Sequence, residues 1–437
     1  MVGPLQRPPK KFHKQWAAKE SESLGIKIDY TYNDASKAQE ALQLAHQSKQ
    51  LPDVYSNVVG LPLASLVKEN WVQALTLTDQ ASASLPDGSL TEGITNVDGK
   101  VYGVPLFTFR QYSTATWMNR QIIESAGLDP TNPPKTYDEF RAACKKIKQS
   151  GDGAAPMILA LGDPGRMRDQ VNDLAQAAGF AGLQGVRFRT GEYAFEDDAY
   201  VQAIEFWKSL NDSGYIVQGS GSFTVVNARS RYAAGVAGFF PDGPWCAGGV
   251  RAITPSFLPK MAVGPILSPD SEPVSIYRGA PAPQFFVAGG SAHADKATAL
   301  VNSFTTTEYQ KGLAAGMDQP PINLDVVDKA DVIEPYRDVV GFFRKTCYRA
   351  PEAVVANPQI VSVQAASKPI SPHLGNIVQG YLGGNITDLR ASLKKLSEAF
   401  SKDRERALAS AKAGGAVVSL DDWAFSNWKP SVDYMYK

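Results

Sequence analysis

Short apolar, strand-like runs alternate with amphipathic, helix-like segments along most of this chain, and few folds accommodate that alternation. It predicts an α/β architecture. Ile26, Ile28 and Tyr30 alternate with polar residues, as in a strand, and Ala38, Ala41, Leu42 and Ala45 then recur at the spacing of one helical face. Val54-Tyr55, within LPDVYSN, reads as a short strand that ends in polar residues. Asp98-Gly99 marks a tight turn, which Val101 and Gly103-Val104-Pro105 leave as an extended segment.

The best-marked helix follows Pro133-Pro134. Thr136 is placed to cap it and Glu139, three residues on, completes a capping box. Phe140, Ala143, Cys144 and Ile147 share one face, which makes Cys144 a packing residue. Further helices carry Tyr200, Ile204, Trp207 and Leu210; Ala297, Leu300, Val301 and Phe304; and Leu389, Leu393, Leu396 and Phe400, with Asp388 at the start of the last. Buried-strand candidates lie at residues 157–161, 236–240 and 285–288, each followed at once by Gly, Asp or Pro. Ligands of α/β sheets bind beyond the carboxyl ends of the strands, so those junctions are where function is expected.

At 437 residues the chain needs two or three domains. Lys plus Arg and Asp plus Glu are 44 each, so no net charge draws it to nucleic acid or an anionic membrane. Cys144, Cys246 and Cys347 are far apart and form no zinc signature; one disulfide plus a thiol, or three thiols, both fit. Gly289-Gly290-Ser291 lacks the Lys-Ser/Thr of a phosphate loop, and Gly289-Gly290-Ser291-Ala292-His293 lacks the last glycine of a nucleophile elbow. Gly219-Ser220-Gly221-Ser222 reads as a flexible loop. The Asp197-Asp198 and Asp421-Asp422 pairs suit helix starts or loops. Residues 1–9 hold no apolar core of signal-peptide length, which suggests a processed chain or a misplaced start.

The order of segments carries a stronger signal. Asp98-Gly99-Lys100-Val101-Tyr102-Gly103-Val104-Pro105 is followed by Met118-Asn119-Arg120, then by Ala126-Gly127-Leu128-Asp129, and then by Pro133-Pro134-Lys135-Thr136-Tyr137-Asp138-Glu139-Phe140. This succession resembles the extracellular solute-binding proteins of sugar ABC importers, the maltose-binding-like family, with its DGKxYGxP, YNK-like and AGLxxPPxTWxEF segments. Here MNR replaces YNK and Tyr137 replaces the tryptophan. The likeness continues through Tyr232-Ala233-Ala234-Gly235-Val236-Ala237-Gly238, Asp242-Gly243-Pro244-Trp245, Val263-Gly264-Pro265, the paired helices at 293–304 and 305–313, and Gly383-Gly384-Asn385-Ile386-Thr387. One departure stands out: an inner strand that opens the family fold, ahead of the helix holding Phe12 and Trp16, is expected to be missing.

The resemblance implies a type II periplasmic-binding-protein-like fold, with two α/β lobes, a hinge and an interlobe ligand cleft. Residues 1–112 plus 280–316 map to lobe one and 113–279 plus 317–437 to lobe two. It further implies a receptor that captures a carbohydrate for an ABC importer. Such a receptor is a monomer, without catalysis or cofactor, partnered by the membrane permease and working in the periplasm or outside the cell, at the membrane. A carbohydrate-active enzyme or a ligand sensor on the same scaffold is the rival reading. Two carboxylates at glycosidase spacing would favour the enzyme.

Sugar recognition uses aromatic faces against pyranose C–H groups and planar polar side chains against hydroxyls. Trp245, in the turn that matches the family, is the expected platform, and Asp242 beside it is an expected acceptor. Asn57 ends the Val54-Tyr55 strand at a family contact position. Phe109, Arg110, Gln111 and Tyr112 follow the Gly103-Val104-Pro105 segment near the hinge. Asp163 and Arg166 lie in the loop after residues 157–161. Convergence of Arg110, Arg166 and Arg168 would suit an anionic ligand such as a uronate or sugar phosphate, with solvated arginines as the alternative. Arg278 and Asp318 flank the crossing segments, as ligand contacts or hinge residues.

Overall fold

The computed structural model describes residues 2–3, 9–33, 35–58 and 61–436. The chain divides into two compact units. The first comprises Met1–Phe109, Gly279–Val332 and Glu352–Val361, and the second Arg110–Arg278, Ile333–Pro351 and Ser362–Lys437. The return to the first unit therefore runs past residue 316, and a short third visit follows it.

In the first unit the sheet runs in the order Thr31–Tyr32, Val2–Gly3, Val54–Ser56, Phe285–Val287, Gly103–Val104. The first three are parallel, and Phe285–Val287 is antiparallel to both its neighbours. Successive side chains point to opposite faces of a strand. Val54, Phe285 and Val287 accordingly join Trp16, Leu300, Phe304 and Leu313 in one core. Tyr55 and Phe286 join Leu42, Leu66 and Trp71 in the other. Burial of both faces explains why Phe285-Phe286-Val287-Ala288 is continuously apolar.

The expectation of an absent inner strand is corrected here. Val2–Gly3 pairs with Thr31–Tyr32 on one side and, through Val2, with Tyr55 on the other. Those neighbours are only two and three residues long, so a two-residue strand is enough to bridge them. Alternation at Ile26, Ile28 and Tyr30 leads into a strand only at Thr31–Tyr32. Asp98 and Gly99 form the expected turn, with φ of 50° and 72°, between Asn96–Val97 and Lys100–Val101.

The second unit is built on a sheet in the order Met261–Gly264, Ala115–Asn119, Ala237–Asp242, Ala155–Met157. Ala115–Asn119 is antiparallel to both its neighbours, whereas Ala237–Asp242 and Ala155–Met157 run parallel. The strand expected over 157–161 occupies Ala155–Met157 instead, although Ile158 still donates to the Phe239 carbonyl at 3.0 Å. Helix Tyr137–Ser150 has both halves of the Thr136–Glu139 capping box and buries Phe140, Ala143, Cys144 and Ile147. Such a cap contributes about 1 kcal/mol. Tyr137 stacks on Phe206 at 3.9 Å, and Phe140 packs against Phe239 at 4.6 Å. The glycine-serine segment is no free loop, because Ser220–Ser222 is a 3₁₀ turn with Ser220 buried. A separate ladder pairs Ile276–Arg278 in parallel with Cys347–Arg349.

All three cysteines are buried free thiols, which removes the disulfide alternative. Burial pushes Cys347 up to about 12 and raises Cys144 and Cys246 as well. Among the described residues, no helix is long and apolar enough to cross a membrane.

His13, on helix Pro9–Leu24, is 2% exposed. Its Nδ1 lies 3.0 Å from the Tyr309 hydroxyl, its Nε2 has no hydrogen-bond partner, and the rings of Phe12, Tyr30 and Phe285 surround it. Burial lowers its pKa to about 4. The native state therefore holds the neutral ring while the unfolded chain takes up a proton below about 6.5. Stability from this site is fully present above 6.5 and declines as pH falls toward 4, by about 3 kcal/mol in all. Calorimetric melts of wild type and His13→Asn between pH 7 and 4 test this. The wild-type midpoint should fall more steeply than that of the variant; parallel profiles would contradict it.

Candidate functional site

Strand Ala237–Asp242 is almost wholly buried and delivers Asp242, 1% exposed, to its carboxyl end. A carboxylate there must be matched by donors. Oδ2 accepts Arg229 Nε at 2.9 Å and Nη2 at 2.6 Å. Oδ1 accepts the Gly243 backbone N–H at 2.9 Å and the Trp245 indole N–H at 2.7 Å. Buried Trp117 donates to the Gly243 carbonyl at 3.0 Å. The turn is thus held from both sides, and the Trp245 ring, half-buried at the first position of helix Trp245–Ile253, is fixed in orientation.

Two glycines make room for this arrangement. A Cβ on Gly243 would lie 2.3 Å from the indole, and one on Gly249 would lie 2.7 Å from Arg229 Cδ. The reading of Asp242 as a ligand acceptor is therefore corrected. Both its oxygens are engaged inside the protein, so it positions Trp245. Arg229 was not legible beforehand, because no motif spacing joins it to Asp242. The only available signal is the general one that a buried acid needs a cation.

Helix Pro164–Ala177 brings the next group. Asp163 caps it, accepting the Arg166 backbone N–H at 3.0 Å. The Arg166 guanidinium lies 4.9 Å from the centroid of the Trp245 ring. Asp163, Arg166, Asp242 and Trp245 are therefore brought together. Of the two readings of Arg110, Arg166 and Arg168, convergence on one point is not what the structure shows, because each has its own neighbour. Arg168 is exposed and pairs with Asp169 at 2.8 Å, and Arg110 pairs with the Asp433 carboxylate and the Cys347 carbonyl.

Farther along the same helix, Gln170 donates to the Ser113 carbonyl at 3.0 Å and the Pro241 carbonyl at 2.7 Å. Asp173 accepts the Ser113 N–H at 2.7 Å and the Ser113 and Thr114 hydroxyls at 2.8 and 2.7 Å. It also pairs with Arg278, which further donates to Gln176 Oε1 at 3.1 Å and the Tyr277 carbonyl at 2.8 Å. Arg278 is thereby an anchor of the chain where it leaves the second unit, not an available ligand contact. Tyr112 is corrected too. It is 2% exposed, with its ring edge-on to Phe343 at 4.5 Å, and burial raises its phenol pKa. Gln111 is half-buried in this unit.

The remaining candidates belong to the first unit. Asn57 donates its side-chain N–H to the Pro283 carbonyl at 3.0 Å and its backbone N–H to Gln284 at 2.9 Å, which ties it to the neighbouring strand. Phe109 is half-buried. Asp318 is half-buried and follows Met317, whose φ is 51°.

Residues 14–336 match the model of a family described as bacterial extracellular solute-binding protein. Among curated relatives, the sn-glycerol-3-phosphate-binding periplasmic protein UgpB of Agrobacterium fabrum is 47% identical over 45 residues, 10% of this chain and 10% of that protein. An uncharacterized ABC transporter extracellular-binding protein of Pyrococcus horikoshii is 27% identical over 139 residues, 32% of this chain and 31% of that protein. The matches thus span about a tenth and a third of those relatives' lengths.

Solved structures match far more of the chain. The GacH receptor of Streptomyces glaucescens, solved unliganded and with acarbose, is 17% identical with a TM-score of 0.65, covering 92% of this chain and 97% of that one. A solute-binding protein of Thermotoga lettingae bound with α-D-tagatose is 17% identical with a TM-score of 0.66, covering 92% and 98%. The cyclic α-maltosyl-1,6-maltose binding protein of Arthrobacter globiformis is 18% identical with a TM-score of 0.66, covering 93% and 98%. These likenesses establish a type II periplasmic-binding-protein fold.

If the buried pair sets the site, removing its cation must show in both stability and ring environment. Arg229→Met is expected to cost about 3–5 kcal/mol in urea denaturation and to shift tryptophan emission to the red. A loss below about 1 kcal/mol with unchanged emission would contradict the coupling.

Proposed function

This chain belongs to the bacterial extracellular solute-binding proteins, and we propose that its solute is a carbohydrate, which it captures and hands to an ABC permease. Members of this family are binding proteins that are secreted or periplasmic. On this reading the chain acts as a monomer and releases its ligand chemically unchanged.

The observation that carries the proposal is the half-exposed Trp245 ring, held by Asp242 at the carboxyl end of a buried strand. A rigid aromatic face costs little side-chain entropy on binding and suits the C–H face of a pyranose. Asp163 and Arg166 beside it supply polar groups of the kind that orient hydroxyls. The ligands named for the neighbouring folds, acarbose, tagatose and a cyclic maltosyl-maltose, are saccharides or close analogues, which supports the same class.

Calorimetric titration of the chain with a saccharide panel, with NMR of the recovered sugar, tests this. One or more sugars should bind and return unchanged. Trp245→Ala should weaken that binding about tenfold or more, roughly the contribution of a stacked ring. Turnover of the sugar, or an unchanged affinity in the variant, would contradict the reading.

A further inference from the structure

Of the guanidiniums around Trp245, all but one are matched by a carboxylate partner. Asp242 is fully engaged by Arg229, Gly243 and Trp245. Asp173 is engaged by Arg278, Ser113 and Thr114. Asp163 shares the loop with Arg166, but it accepts the Arg166 backbone N–H and makes no ion pair with the guanidinium. Arg168, two residues on, is already matched by Asp169. The Arg166 guanidinium is thus left half-exposed, lying over the indole at 4.9 Å, with no hydrogen bond or ion pair to any described residue.

Backbone dipoles add to this charge. Parallel strands Ala155–Met157 and Ala237–Asp242 are followed by helices Pro164–Ala177 and Trp245–Ile253, whose first turns carry Arg166 and Trp245. Each helix start holds a partial positive charge of about half a unit. Stacking against the indole also removes water from one face of the guanidinium and leaves its planar fork of N–H donors available. That fork matches a carboxylate or phosphate through two parallel hydrogen bonds, a geometry that a neutral hydroxyl cannot reproduce.

We propose that Arg166 is the specificity-determining residue of this site and that the ligand is an acidic saccharide, its ring against Trp245 and its carboxylate or phosphate on the Arg166 guanidinium. The inference rests on the carbohydrate reading above and narrows it. The oxyanion is the recognised feature, and a uronate or a sugar phosphate supplies it equally at this level.

Titration of the full chain with glucose, glucuronate and glucose 6-phosphate, and with the corresponding galactose series, separates the cases. At least one acid should bind ten or more times more tightly than its neutral parent, with the preference shrinking as salt is raised. The acid that wins identifies the oxyanion. Arg166→Gln should bring that acid to the affinity of the neutral sugar, while Arg168→Gln leaves the preference intact. Equal or tighter binding of the neutral sugars, or an acid preference that survives Arg166→Gln, would overturn the acidic-ligand inference and leave the carbohydrate reading standing. Failure of every sugar in the panel to bind would overturn both.

Discussion

A buried carboxylate is tolerated only when its charge is answered at close range, and Asp242 is the place where that requirement organises this molecule. Taking the group out of water costs several kcal/mol, which the Arg229 fork and two further N–H donors must offset. Once they do, nothing on Asp242 is free to move without uncovering a charge. The indole of Trp245 is one of those donors, so its orientation inherits the rigidity of the ion pair. Gly243 and Gly249 contribute by having no side chain where the ring and the arginine must lie. A half-buried aromatic is thus oriented by a hydrogen bond to a buried carboxylate, which suits a binding face set before the ligand arrives.

The same logic recurs one helix away. Helix Pro164–Ala177 presents Gln170 and Asp173 inward, where apolar residues are usual, and uses them to fix Ser113, Thr114, Pro241 and Arg278. Those residues include the stretch just after the chain enters the second unit at Arg110 and the point where it leaves at Arg278. The Gln170 amide N–H groups and the Asp173 carboxylate are hydrogen-bonded to those partners, and a shift of the helix would leave them unsatisfied. Arg110, paired with Asp433 and the Cys347 carbonyl, fastens the C-terminal segment to the same region.

Much of the fold could be read directly, and the reason is that its signals are local. The Thr136–Glu139 box, the Asp98-Gly99 turn and the helix stripes each depend on residues within a few positions of one another, and they stand in the structure apart from Ala41, which is exposed beside buried Ala38 and Leu42. The place of Trp245 just past a strand end was legible because its turn carries a recognisable run of residues. What escaped depends on partners far along the chain. Tyr112 was a candidate ligand contact until Phe343 closed over it, and the arrangement of Arg110, Arg166 and Arg168 stayed open until Asp433, the Trp245 ring and Asp169 were in place beside them. Asp242 was expected to accept from a ligand, and only Arg229, Gly243 and the Trp245 indole reveal that both its oxygens are engaged within the protein. The inner strand at Val2–Gly3 is too short to carry a period of its own, and only its ladder partners disclose it.

The central claim is that the Trp245 face, locked by Asp242, is where the sugar ring rests. The most direct measurement is a crystal structure of the chain soaked or grown with its tightest-binding saccharide. The account predicts a pyranose ring stacked in van der Waals contact with the Trp245 indole, with the Asp242–Arg229 and Asp242–Trp245 hydrogen bonds unchanged. A saccharide bound away from Trp245, or a ring reoriented with its Asp242 bond broken, would contradict it.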